Sequence, residues 1–125
     1  MNIGFRFDRS RKLLDSESFR RVFKKSTRSR DNFFTVLAHN KKKTISKLGM
    51  AISKKNCRYA TNRNRIKRVV REAFRHNQVY LTGLDLVVIN QPAARFATNS
   101  ELKESLKQHF QKCISMKIKL NNQEI

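Results

Sequence analysis

Asn62-Arg63-Asn64-Arg65-Ile66-Lys67-Arg68-Val69-Val70-Arg71-Glu72-Ala73-Phe74-Arg75 interleaves basic and aliphatic side chains at helical spacing, and the rest of the chain can be read outward from it. With 3.6 residues per turn, Ile66, Val69, Val70, Ala73 and Phe74 fall at i, i+3, i+4, i+7 and i+8, one continuous apolar stripe suited to a core. Arg63, Lys67, Arg68, Arg71 and Arg75 take the other side, with Glu72 four residues after Arg68 as a weak surface pair. Thr61 or Asn62 is the expected cap, since either side chain accepts a bond from an unpaired amide of the first turn.

Downstream, Thr82-Gly83 breaks the helical pattern, and Leu84 to Asn90 is an apolar run of the kind buried inside a sheet, ended by Pro92. Thr98 or Asn99 then caps a final helix with Leu102, Leu106, Phe110, Cys113 and Ile114 on one face and Glu101 and Glu104 near its start. Upstream, Lys47 to Lys54 reads as a strand with Leu48, Met50 and Ile52 on one side and the small Gly49, Ala51 and Ser53 opposite, where they leave room for something to approach. Asn32 to His39 reads as another, with Phe34, Val36 and Ala38 on one face and Phe33, Thr35 and Leu37 on the other. Lys41, Lys42 and Lys43 form the turn that makes these two an antiparallel hairpin. Ser26 to Asp31 is polar and is read as a loop. Before it, Asp15 or Ser16 caps a short helix in which Glu17 suits the positive end and Phe19, Val22 and Phe23 repeat at helical spacing. The predicted order is α-β-β-α-β-α, an α+β chain folding as a single-domain α/β sandwich over residues 1–125. A basic arm covers about residues 1–12, and the polar residues from about Lys117 to the end form a fraying tail.

Charge narrows the function further. Lys and Arg number 29 against 9 Asp and Glu, a net charge of +20. Such a surface repels itself when compact, and a polyanion is the partner that relieves the repulsion. From Lys54 to Arg75 nine basic residues face Glu72 alone, a net +8 within 22 positions, where a merely solvated helix mixes its signs. Most of the nine are Arg, whose planar fork bonds a phosphate with two parallel donors. The longest apolar stretch is far too short to span a bilayer, so no membrane partner is expected. The N-terminus lacks the apolar block and cleavage site of a signal peptide, which makes the cytoplasm the expected location. Cys57 and Cys113 stand alone and are read as ordinary thiols.

A protein-borne nuclease needs paired carboxylates around metal ions or a His and Lys constellation for proton transfer. The nine acids here are scattered, His39, His76 and His109 fall in three separate elements, and three glycines do not make a phosphate loop. DNA binding by a helix-turn-helix is disfavoured too, because no short partner helix precedes the long one. Phe19 and Phe23 admit two readings, core packing and an exposed stacking platform for single-stranded bases.

Ala60-Thr61-Asn62-Arg63-Asn64-Arg65-Ile66-Lys67-Arg68-Val69-Val70-Arg71-Glu72 resembles the Arg-Asn-Arg signature of the bacterial ribonuclease P protein component. Gly49-Met50-Ala51-Ile52-Ser53-Lys54-Lys55-Asn56 resembles the strand before that signature. Phe19-Arg20-Arg21-Val22-Phe23 resembles the first helix with its Phe-x-x-x-Phe pair, and Asp85-Leu86-Val87-Val88-Ile89 the third strand. The resemblance runs in matching order over roughly residues 9 to 115.

It implies a mixed sheet with a left-handed βαβ crossover and a protein cofactor that helps a catalytic RNA remove the 5′ leader of precursor tRNA. The RNA would perform the hydrolysis with Mg²⁺, which the holoenzyme requires and the protein alone does not bind, so no residue here would be catalytic. Arg63, Asn64, Arg65, Lys67, Arg68 and Arg71 would contact the catalytic RNA subunit. Phe19, Phe23, Phe34 and Leu37 would line a cleft for the precursor tRNA leader, Leu37 by apolar contact where many members carry an aromatic. Asn90-Gln91-Pro92 replaces a more basic segment of the family. The rival reading is a structural RNA-binding protein of ribosomal type, which shares the charge and size but not the order of motifs.

Overall fold

The computed structural model describes residues 20, 22–24, 26–40 and 45–123, with side chains as far as residue 118. The expected basic arm, the cap at Asp15 or Ser16, Phe19 and the Lys41 to Lys43 turn lie outside those residues. Arg20, Val22, Phe23 and Lys24 are helical. After them come β1 (Thr27–Arg30), β2 (Phe34–Asn40), β3 (Lys47–Ala51), α1 (Ala60–Asn77), β4 (Leu84–Asn90), a 3₁₀ turn (Pro92–Phe96) and α2 (Asn99–Gln123).

The four strands form one mixed sheet in the order β1-β2-β4-β3. β4 pairs antiparallel with β2, Val36 opposite Val88, and parallel with β3, Leu48 opposite Leu86. The expected β2–β3 hairpin is therefore not formed. The apolar β4, made almost entirely of branched and leucine side chains, takes the central place between them, where both its faces are buried. The hairpin that does form is β1–β2, with Thr27 opposite Ala38 and Arg30 opposite Thr35. Its first strand occupies the stretch read as a loop. Edge position explains the misreading, because Thr-Arg-Ser-Arg needs only one ladder and buries only Ser29.

Alternation along the strands splits the apolar residues into two sets. Phe34, Val36 and Ala38 of β2 with Leu86 and Val88 of β4 face α1 and α2, which supply Ile66, Val70 and Phe74, and Leu102, Leu106 and Phe110. Leu37 and Val87 point to the opposite face, where Val22 of the N-terminal helical segment covers them. Phe33 departs from the expected alternation. It lies in the bend before β2, where Asp31 Oδ1 accepts the amides of Phe33 and Phe34, each at 2.9 Å, and it packs with the larger cluster.

Gly83, at φ 90°, permits the turn into β4 that a side chain would oppose. α2 starts with a reciprocal cap: Thr98 Oγ1 accepts from the amide of Glu101 at 3.1 Å, and the Glu101 carboxylate accepts from the amide of Thr98 at 2.9 Å. The helix runs to Gln123, and the ammonium of Lys117, where the fraying tail is expected to begin, donates to the carbonyls of Tyr80 and Thr82 at 2.7 and 3.0 Å. α1 begins two or three residues earlier than expected, with Tyr59 in the cap position in place of Thr61 or Asn62 and no side-chain cap bond. Thr61 and Asn62 thus lie inside the first turn. Glu72 pairs with Arg75 and His76 one turn ahead, not with Arg68 behind.

Candidate nucleic-acid interface

α1 lays Ile66, Val69, Val70 and Phe74 into the core, so its remaining residues form a cationic outer surface by geometric necessity. Asn64 and Arg68 are exposed, and Lys67, Arg71 and Arg75 are partly so. The first turn contains no acid.

Two residues of the signature, both partly exposed, donate to groups of the protein itself. Arg63 donates from Nη1 to the carbonyls of Cys57 at 2.9 Å and Arg58 at 2.7 Å, folding the segment before the helix back onto it. Arg65 donates from Nε to Asn62 Oδ1 at 2.9 Å and from Nη1 to Asn99 Oδ1 at 2.8 Å, tying the start of α1 to the start of α2. The six residues expected to meet the catalytic RNA thus divide. Arg63 and Arg65 shape the surface, while Asn64, Lys67, Arg68 and Arg71 present it.

The turn leading into α1 is fastened to the end of β4. Asn90 Oδ1 accepts the amide of Ser53 at 2.7 Å, and Asn56 Nδ2 donates to the Asn90 carbonyl at 2.8 Å. Asn90, fully buried, is therefore a structural clasp. Cys57 plugs the core below the same turn.

Of the expected leader-binding residues that are described, Phe34 lies apart from Leu37 and Phe23. Phe23 is 49% exposed beside the buried Val22. Leu37 lies on the sheet face that Val22 covers, whereas Phe34 points through the opposite face and is sealed among the residues under α1 and α2. The face shared by Leu37 also carries the partly buried Ala51 and Ile89, consistent with the small-residue side expected of β3. On the edge strand beside it, exposed Arg28 stands opposite Leu37 and exposed Arg30 opposite Thr35. Sequence patterning passed over these two arginines because it read their segment as a loop.

The strongest polar cluster lies elsewhere and is structural. His109, buried on α2, has Nδ1 2.7 Å from Ser29 Oγ and Nε2 3.2 Å from Asp31 Oδ1, while Ser105 donates to the other Asp31 oxygen. Burial raises the Asp31 pKa, but hydrogen bonds from Ser105, the Phe34 and Phe33 amides and His109 outweigh it, so the carboxyl sits below its ordinary value. These bonds lock the β1–β2 bend to α2. Among the described residues no three His, Cys, Asp or Glu side chains are grouped to hold a metal ion. Within the same limits, no helix is long and apolar enough to cross a membrane.

Together these features define a small α+β protein with a sharply cationic helix on one side of its sheet and an arginine-edged face on the other. The Ribonuclease P family model matches residues 7–114, and the chain belongs to that family. The ribonuclease P protein component of Nitrosococcus oceani is 41% identical over 106 residues, 85% of this chain and 89% of the relative. Among solved structures, the RNase P protein of Staphylococcus aureus matches with a TM-score of 0.72 at 29% identity, covering 78% of this chain and 90% of that one. The RNase P protein of Thermotoga maritima matches with a TM-score of 0.69 at 29% identity, covering 78% and 92%.

Proposed function

We propose that this chain is the protein cofactor of a ribonuclease P ribonucleoprotein, docking on a catalytic RNA through α1 and promoting removal of the 5′ leader from precursor tRNA. The observation that carries the reading is the outer surface of α1, where Asn64, Lys67, Arg68 and Arg71 stand clear of the core in a chain of this family. A rigid cationic surface placed between RNA elements offsets phosphate repulsion, so less Mg²⁺ is needed to fold and hold them. Hydrolysis belongs to the RNA in this reading, and the Mg²⁺ it holds supplies charge stabilisation at the scissile phosphate. The described carboxylates are otherwise engaged: Asp31, Glu72 and Glu101 are taken up by protein donors, Glu104 accepts from Gln108 Nε2 at 3.4 Å, and Asp85 is buried on β4.

The leader is assigned to the second sheet face, with Phe23 as a stacking ring, the partly buried Ala51 and Ile89 as an apolar floor that Leu37 backs from beneath Val22, and Arg28 and Arg30 for phosphates. Phe34 supports that floor from the far side of the sheet. Phe19 retains the role implied by the family signature. A leader contact gives precursor a binding term that mature tRNA lacks, and so separates substrate from product.

The test is cleavage of precursor tRNA by the catalytic RNA at low Mg²⁺ with and without the protein. RNA-dependent stimulation is expected. Cleavage by the protein alone, or no stimulation at all, would refute the assignment, the second outcome favouring a ribosomal-type protein. For the leader, Phe23→Ala is expected to weaken precursor binding and leave mature tRNA binding unchanged. Equal losses for both would remove Phe23 from the leader site.

A further inference from the structure

Two arginine–aromatic pairs flank the first turn of α1. Tyr59, the residue before the helix, is 65% exposed, and the Arg58 guanidinium lies over its ring at 5.5 Å from the centroid. Phe96, at the end of the 3₁₀ turn, is 77% exposed, with the Arg95 guanidinium over its ring at 4.3 Å. Neither ring serves the core, and neither belongs to the leader face.

Both pairs are held in position by bonds that include the signature residues. Arg63 takes the carbonyls of Cys57 and Arg58, which orients the segment carrying Tyr59. Asn62 Nδ2 donates to the Arg95 carbonyl at 2.9 Å, and Arg95 Nη1 donates to the Pro92 carbonyl at 3.0 Å. Ala94 and Ala97 are buried on either side of Phe96, leaving the ring to project. A ring with a guanidinium over one face keeps the other face for a flat partner, and the adjoining cation suits the phosphate that accompanies a base. The sequence-nearest carboxylates do not compete for these cations, because Glu72 is engaged by Arg75 and His76, and Glu101 by Thr98.

We propose that Tyr59 and Phe96 are stacking platforms for unpaired bases of the RNA docked on α1, with Arg58 and Arg95 contacting the phosphates of the same nucleotides. This rests on the docking role proposed for α1 and adds a base-contacting element to it.

The experiment measures binding of the catalytic RNA by full-length protein across a salt series. Tyr59→Leu and Phe96→Leu keep apolar bulk but remove the aromatic face. Each is expected to weaken binding by about 5- to 150-fold, the range for one stacked base, and to leave the salt slope unchanged. Tyr59→Phe is expected to bind as the parent does. The chain has no Trp and two Tyr, so Tyr80→Phe leaves Tyr59 as its single strong emitter, and RNA is expected to quench that emission.

Unchanged affinity in both Leu variants, with Arg68→Ala still weakening binding, would overturn the stacking proposal and leave docking intact. If Arg68→Ala also has no effect, the docking role falls with it. A loss accompanied by a flattened salt slope would equally overturn stacking, because it would trace the effect to the arginines.

Discussion

Replacing Arg63 with alanine separates shape from charge at the signature. The guanidinium bonds two carbonyls, that of Cys57 in a partly buried position and that of Arg58 in an exposed one. A hydrogen bond from a charged donor contributes about 1.5–3 kcal/mol when shielded, and the exposed bond is largely replaced by water, so the expected loss is about 2 kcal/mol. For a chain of this length that corresponds to a fall in Tm of about 5–10 °C. Arg68 is the control, being exposed on the same helix. Arg68→Ala is expected to change stability by no more than about 0.5 kcal/mol. It is expected to lower the slope of log affinity for the catalytic RNA against log salt by roughly 0.7–0.9, the value of one phosphate contact. Circular-dichroism melts and salt-series binding on the same preparations read both quantities. The reasoning is refuted if Arg63→Ala melts with the parent protein while lowering the salt slope as Arg68→Ala does, for Arg63 would then be a free phosphate ligand.

The Asp31 network predicts an acid limb of stability. Because the folded pKa of Asp31 lies below 3.8, its contribution is complete above the unfolded value and is lost as pH falls through the folded one. Melts of the parent and of Asp31→Asn should differ at pH 6 and draw together as pH falls below 3.8; a gap constant down to the acid limit would contradict this. Leu106 is fully buried on the inner face of α2, and Leu106→Ala is expected to cost about 2–5 kcal/mol in urea unfolding, a loss below about 1 kcal/mol contradicting the packing described. Burial pushes the Cys113 thiol up to about 11, and Cys57 is 1% exposed, so neither is expected to react with a thiol reagent at pH 8 until urea is added.

Helical periodicity and buried runs carried most of the element positions. Leu84 to Asn90 was legible because a central strand is apolar on both faces, and Ile66 to Phe74 because one stripe of a helix must be. The neighbour relations were not. That β4 lies between β2 and β3 depends on pairings 38 to 56 residues apart, such as Leu48 with Leu86 and Phe34 with Asn90, and no local pattern records such distances. Edge strand β1 escaped notice because a strand with one partner and one buried side chain has no apolar alternation to display. The cationic face of α1 could be read from charge, but the division of labour within it could not. Arg63 finds its partners in backbone carbonyls, which carry no residue signature. Phe34 was grouped with Phe23 through family likeness, although strand parity already sends it to the opposite face from Leu37.

The central place of β4 also governs how the protein is made. β2 and β3 have no ladder to each other and meet only through a strand that ends at Asn90. A nascent chain emerging from the N-terminus therefore holds two orphan strand edges until the last strand has been synthesised, and it cannot seal its core until α2 follows. Long-range pairing of this kind slows folding and lengthens exposure of unpaired edges. The high positive charge has a second use during that interval, keeping incomplete chains apart by mutual repulsion until the insertion of one strand completes the sheet.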